Sequence, residues 1–380
     1  MIVAYLVLLI AFLDNFAMLP TIGPYAERLG ADLTGVGVAV GAYSLTNLLL
    51  NIAGGALVDR LGRRRLVVTS LLGVGATMLL YPMVSSVTML IGVRLLHGVA
   101  GGVLVPAVFT AVADLSPEGG RGRSMGRAGA AIGAAAVIGP AVGGALRQLA
   151  GFEAVFLGVA ALCVLGALIA GLGLPETSPQ AGSRSGTRGA LLDLLRDPHL
   201  RVAYGTAVVF TGAVGSMAAF LPVHVEGLGL PAASSGGMFT LFALAAVALM
   251  LSRMAGLVEL RGAALPIVSG LSVLAIALTA LTAEPSALPT AVAATVFGVG
   301  FGLVFPAMSA LVGAAAPPQR RGAAYGFFMA AYSLGFVVMP PLGGAVADRW
   351  SSLGPFAAAA VVCAAAAGVL ALRWRRVGTL

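Results

Sequence analysis

Stretches of about twenty apolar residues recur along this chain, separated by short segments rich in Gly, Pro and Arg. They fall near residues 2–21, 34–58, 66–84, 88–112, 124–146, 153–173, 202–222, 232–252, 263–282, 288–313, 322–346 and 354–374. At 1.5 Å of rise per residue, each is long enough to cross the ~30 Å hydrocarbon core of a bilayer as a helix. The period-2 alternation of a membrane β-strand is absent. The pattern predicts an all-α integral membrane protein with twelve transmembrane helices.

The pattern also repeats. When the chain is shifted by 200 residues, Gly98, Gly101, Gly102 and Pro106 lie near or over Gly298, Gly300, Gly302 and Pro306. Arg121-Gly122 meets Arg321-Gly322, Pro140 meets Pro340, Gly143-Gly144 meets Gly343-Gly344, and Cys163 meets Cys363. The expected organisation is a six-helix bundle over 1–174, a central loop over 175–200 and a second six-helix bundle over 201–380. Parallel internal repeats of this kind are a transporter architecture, with the substrate site between the halves.

Composition sharpens this picture. Hydrophobic residues make up 59% of the chain and charged ones 9%, which excludes an ordinary soluble domain. All 22 basic residues are arginine, so no Walker A lysine exists and the chain cannot itself hydrolyse ATP with a P-loop. The net charge of +8 reads as topology and not as a nucleic-acid signal. Arg60, Arg63, Arg64, Arg65, Arg121, Arg123, Arg127 and the arginines of the central loop fall on one side, with Arg253, Arg261, Arg320, Arg321 and those of the C-terminus. Arg28, Arg147 and Arg349 fall on the other. The positive-inside rule then places both termini in the cytoplasm of a multi-pass cell-membrane protein. The first span has no basic leader or cleavage site and is expected to be retained. Two cysteines inside apolar runs and three scattered histidines predict neither a disulfide nor a metal site.

After the second span the chain reads Gly55-Ala-Leu-Val-Asp59-Arg60-Leu-Gly62-Arg63-Arg64-Arg65, a tight turn carrying one carboxylate and four cations. Glu259 and Gly262 echo it in the second half. This segment resembles the signature loop of the major facilitator superfamily, as do the twelve spans, the six-plus-six halves and the central loop. The resemblance implies that Asp59 sits at the N-terminus of the eleventh helix, against the positive end of its dipole. It also implies that the loop arginines pair with Asp114 at the end of the fourth span.

Three ionisable groups lie inside the predicted membrane. Arg94 and His97 belong to Arg94-Leu-Leu-His97-Gly98, which resembles the family's R-x-x-Q-G motif with His in place of Gln. A membrane-embedded arginine costs roughly 2.5–3.5 kcal/mol on insertion scales, so it should face protein or water. Asp14 lies ~18 Å into the first span and Arg94 ~9 Å in from the opposite face, nearly the same depth in a ~30 Å core. The two are expected to meet, either as a neutralising ion pair or as a site for protons or substrate. His97 shares the Arg94 face, as a polar strut or a titrating group. Tyr43, Asn47 and Asn51 form a polar stripe on the second span, and Phe297, Phe301 and Phe305 an aromatic one on the tenth. The aromatic stripe either packs or lines a cavity suited to apolar substrates. Span five carries Gly139-Pro140-Ala-Val-Gly143-Gly144, where small residues permit close helix approach and Pro140 kinks the helix. It resembles the family's antiporter signature, and Leu13-Asp14-Asn15 with Leu19-Pro20 resembles the first helix of twelve-span drug:proton antiporters.

Gly122-Arg-Ser124-Met-Gly126 matches G-x-S-x-G but lacks the preceding strand and histidine partner of a hydrolase, and no catalytic constellation is expected. The resemblance implies alternating access and proton-coupled export of small amphipathic or lipophilic compounds. An uptake or lipid-moving carrier and a non-transporting sensor are the alternatives. The expected partners are a small-molecule substrate, protons and the lipid bilayer, with no cofactor beyond the proton gradient, no nucleic acid, and a monomeric state.

Overall fold

A computed structural model describes residues 1–117, 120–176, 193–252, 262–283, 286–317 and 320–377, with side chains except at 51–61, 121–122 and 375–377. No strand occurs among these residues. The helices are α1 (Ile2–Arg28), α2 (Leu33–Leu61), α3 (Arg63–Met78), α4 (Val87–Gly101), α5 (Leu104–Asp114) and α6 (Arg121–Gly173). The second half follows as α7 (Pro198–Gly227), α8 (Ala232–Leu251), α9 (Ala264–Ala280), α10 (Ala287–Ala315), α11 (Arg321–Arg349) and α12 (Gly354–Val377).

These helices make the twelve crossings expected, by a different division. The fourth crossing is broken into α4 and α5 at Gly102 and Val103. The fifth and sixth are two limbs of α6, folded at Gly151, whose φ of +81° suits a residue with no Cβ. Local chemistry sets several other ends. The Asp32 carboxylate accepts the Gly35 N–H at 2.7 Å and starts α2. Asp197 accepts from His199 at 2.9 Å and Leu200 at 3.0 Å and starts α7. Gly62, between α2 and α3, and Gly262, just before α9, lie one repeat apart and both take positive φ, +81° and +72°.

Within the first half α1 and α3 pack on α6, and α2 packs on α4; in the second, α7 packs on α11, α9 on α10 and α12, and α8 on α10. The halves meet chiefly where α2 packs on α11, α6 on α8 and α1 on α7. Glycine makes these seams tight. A Cβ on Gly37 would overlap the Pro340 carbonyl, one on Gly344 the Leu33 carbonyl, and one on Gly236 the Pro140 carbonyl. All lie toward the end away from the chain termini, which we term the distal end. Asp348 of α11 meets the start of α2 there, and Arg147 of α6 pairs with Glu226 of α7.

Candidate functional site

The first half encloses a chain of polar side chains. Asp14 on α1 is 1% exposed and His97 on α4 is fully buried. His97 Nε2 lies 3.0 Å from Asp14 Oδ2, and His97 Nδ1 lies 3.1 Å from the Tyr81 hydroxyl. Tyr81, in the turn between α3 and α4, is itself fully buried and accepts at its carbonyl a 2.7 Å hydrogen bond from the Tyr25 hydroxyl. The second oxygen of Asp14 is buried with no hydrogen-bond partner. A buried carboxylate oxygen without a partner is costly, which sets this side chain apart from the satisfied polar groups around it.

The expected meeting of Asp14 with Arg94 is not what the structure contains. Arg94 donates from Nε to the Ala39 carbonyl at 3.1 Å and from Nη2 to the Val40 carbonyl at 3.3 Å. Its guanidinium also lies 4.9 Å from the centre of the Tyr43 ring. The reason is directional. Helical side chains lean toward their own N-terminus, and the N-terminus of α4 is distal. Arg94 therefore reaches back to the distal part of α2, while His97, one turn further along, comes level with Asp14. Tyr43 closes the cluster edge-on to His97, with ring centres 4.8 Å apart. Asn47 donates to the Tyr43 carbonyl of its own helix at 3.3 Å.

The repeat-related positions in the second half are all apolar: Val214, Ala243, Leu281, Ala294 and Phe297 stand where Asp14, Tyr43, Tyr81, Arg94 and His97 stand in the first. Phe297 is fully buried against Phe242, ring centres 5.6 Å apart, and so takes the packing role rather than the cavity role. Phe301 is half-buried. Its ring centre lies 4.9 Å from that of Phe210 and 5.7 Å from that of Phe305, with the last pair stacked. Tyr332 and Phe336 on α11 extend the aromatic group, and the Phe336 carbonyl sits against Gly41 of α2, two residues before Tyr43. A polar cluster in one half and an aromatic one in the other thus flank the same seam.

At the opposite end, Arg63 Nε lies 3.1 Å from Asp114 Oδ2. Glu176, after α6, accepts the Arg64 N–H at 3.3 Å and fills the space a Gly62 side chain would need, and Arg64 reaches the Gly171 carbonyl. Glu176 therefore fastens the turn to the sixth crossing, a role hidden in the sequence string Leu174-Pro-Glu-Thr177. Asn51, Gly55, Asp59 and Arg60 lie outside the described side chains. Gly139 and Gly143 pack on Phe16 and Ala17 of α1, inside the first half, whereas Pro140 and Gly144 meet α8 across the seam. An apolar groove of about 580 Å³ between Leu80 and Val99 lies along α4 and carries no polar group that would orient a ligand.

The sequence model of the Major Facilitator Superfamily matches residues 4–287 and 254–379. The chain belongs to this superfamily. It is accordingly a transporter, and its long apolar helices make it a multi-pass membrane protein. It is 25% identical over 357 residues to the inner membrane transport protein YajR of Escherichia coli K12, covering 93% of this chain and 78% of that one. It is 31% identical over 175 residues to multidrug resistance protein 1 of Bacillus subtilis 168, covering 46% of this chain and 45% of the relative. The solved structure of the nucleoside transporter NupG superposes with a TM-score of 0.75 at 16% identity, covering 99% of this chain and 98% of that one. At such identity the likeness speaks for the fold alone.

Proposed function

We propose that this transporter is a proton-coupled exporter of small amphipathic or lipophilic compounds, with Asp14 as the proton carrier. The observation that carries the reading is the buried Asp14–His97 pair, one carboxylate oxygen bonded and the other without a partner, placed beside a seam whose far wall is aromatic. A carboxylate enclosed in a membrane bundle is functional by default, because ionisation there needs a partner and protonation removes the need. The aromatic group of Phe301, Phe305, Tyr332 and Phe336 offers apolar, polarisable surface without a fixed hydrogen-bond pattern, which suits lipophilic cargo of varied shape. The resemblance of α1 and of the Gly139–Gly144 string to drug:proton antiporters supports export, as does the name of the Bacillus relative.

In this reading the halves 1–174 and 201–380 rock about the seam, the segment 175–200 links them, and the proton gradient is the energy source. The arginine distribution puts the termini in the cytoplasm. The distal end is then the outer one, and the conformation described above is closed to the outside.

Everted membrane vesicles carrying the protein test the proposal. With an acid interior imposed, a lipophilic cationic dye should accumulate inside, and nigericin should abolish the accumulation. Accumulation indifferent to the pH gradient would sink the proton-coupled reading, and movement of nucleosides instead of dye would point to a different cargo class.

A further inference from the structure

The seam holds a pair of contacts that obey the internal repeat. Asp348, at the distal end of α11, accepts the backbone N–H groups of Leu33 and Thr34, both at 3.0 Å, and the Thr34 hydroxyl at 2.6 Å. Gln148, at the distal end of the first limb of α6, accepts the backbone N–H of Ala233 at 3.1 Å. Acceptors 148 and 348 and donors 233 and 33 are separated by the same 200 residues. In each case the fifth crossing of one half supplies an acceptor to the first turn of the second crossing of the other half.

We infer that positions 148 and 348 are a reciprocal pair of gating residues for transport, holding the distal end shut by capping helices α8 and α2 across the seam. The first N–H groups of any helix have no partner within it, and their dipole end attracts negative charge. When the distal end opens, these N–H groups must exchange a protein acceptor for water, so the caps favour the closed state only.

The two latches differ in strength for a reason visible in their chemistry. Asp348 brings a charge and three hydrogen bonds, whereas Gln148 brings a neutral amide and one. They differ also in what remains after opening. Helix α2 keeps Asp32 as a cap from its own half, bonded to Gly35 N, whereas α8 begins at Pro231 with no side-chain cap of its own. Opening therefore leaves α2 ordered and its Leu33 and Thr34 amides bare. The inference concerns the alternating-access cycle and does not rest on proton coupling.

Spin labels at Met83→Cys and Leu288→Cys, both exposed near the distal end, one in each half, would report the open and closed populations in nanodiscs. Cys163 and Cys363 are fully buried and give little background. Asp348→Ala should raise the open-to-closed ratio about five- to thirtyfold, the effect of losing a charged helix cap. Asp348→Asn, which keeps an acceptor but no charge, should fall between. Gln148→Ala should raise the ratio by a smaller factor, and the double variant by about the product of the two. Hydrogen exchange in the unlabelled wild-type protein gives an independent reading even should the alanine variant fail to fold. The Leu33 and Thr34 amides should slow and quicken together with distal closure, while Gly35, bonded to Asp32, stays protected in both states. Unchanged distance populations in Asp348→Ala, or Leu33 and Thr34 amides that exchange independently of closure, would overturn the inference.

Discussion

The Asp14–His97 pair predicts a specific pattern of non-additivity. His97→Leu removes the hydrogen-bond donor that faces Asp14 Oδ2 at 3.0 Å and leaves a buried carboxylate with no bonded oxygen. Leaving a buried polar group without its hydrogen-bond partner costs about 1–3 kcal/mol. Asp14→Leu leaves His97 Nε2 without its partner, a neutral loss of about 1–3 kcal/mol. The double variant replaces both by apolar groups of similar size, and the Tyr81 hydroxyl, 3.1 Å from His97 Nδ1, loses that contact but keeps Arg94 as a partner. Removing both partners together is nearly neutral where removing one is not. The double variant should therefore be more stable than His97→Leu alone, with a coupling of about 2–3 kcal/mol. Unfolding by denaturing detergent in mixed micelles measures this, followed through the reactivity of Cys163 and Cys363, which are fully buried until the fold opens. Losses that add to within about 0.5 kcal/mol would show that the two side chains do not depend on each other, and the site as described would be wrong.

Three further substitutions have defined outcomes. Gly139→Leu should lower the yield of folded protein on size-exclusion chromatography, because bulk there strikes Phe16 and Ala17 of α1 inside the first half; normal yield with normal transport would contradict that packing. Gly37→Leu should drive the distal end open, since its side chain would occupy the Pro340 carbonyl, and the Met83–Leu288 label pair should then show the longer distance dominating. Asp59→Asn should act oppositely to Asp348→Ala on that same label pair, favouring distal closure by up to about thirtyfold, because the family resemblance places Asp59 at the N-terminus of α11, where a carboxylate contributes roughly 0.3–2 kcal/mol.

The fold was legible because burial in lipid demands long apolar helices and leaves few alternatives. The twelve runs appear as crossings, though α1 continues through Pro20 and Pro24 to Arg28, beyond the run near 2–21. The break between α4 and α5 lies at Gly102 and Val103, which apolar content alone does not separate from an unbroken helix. At the site, unequal halves were the informative signal, since Asp14, Tyr43, Arg94 and His97 all lack polar counterparts one repeat on. That asymmetry also contains Tyr81 opposite Leu281, a residue passed over because it closes an apolar run. The partner of Asp14 was not legible. Rise per residue fixes depth along a helix but says nothing of its rotation, and only the packed helices decide between Arg94 and His97. Asp348 and Gln148 were hidden for a related reason, since one polar residue at a helix end carries no mark of the helix it caps across a seam.

The proposed mechanism stands or falls on whether Asp14 exchanges its proton for cargo. Purified protein in weakly buffered detergent solution, with a pH-sensitive dye as reporter, would be mixed with a lipophilic cationic compound that it binds. Wild-type protein should release protons on binding, and Asp14→Asn should bind the same compound with no release. Equal proton release from both proteins would contradict the assignment of Asp14 as the carrier.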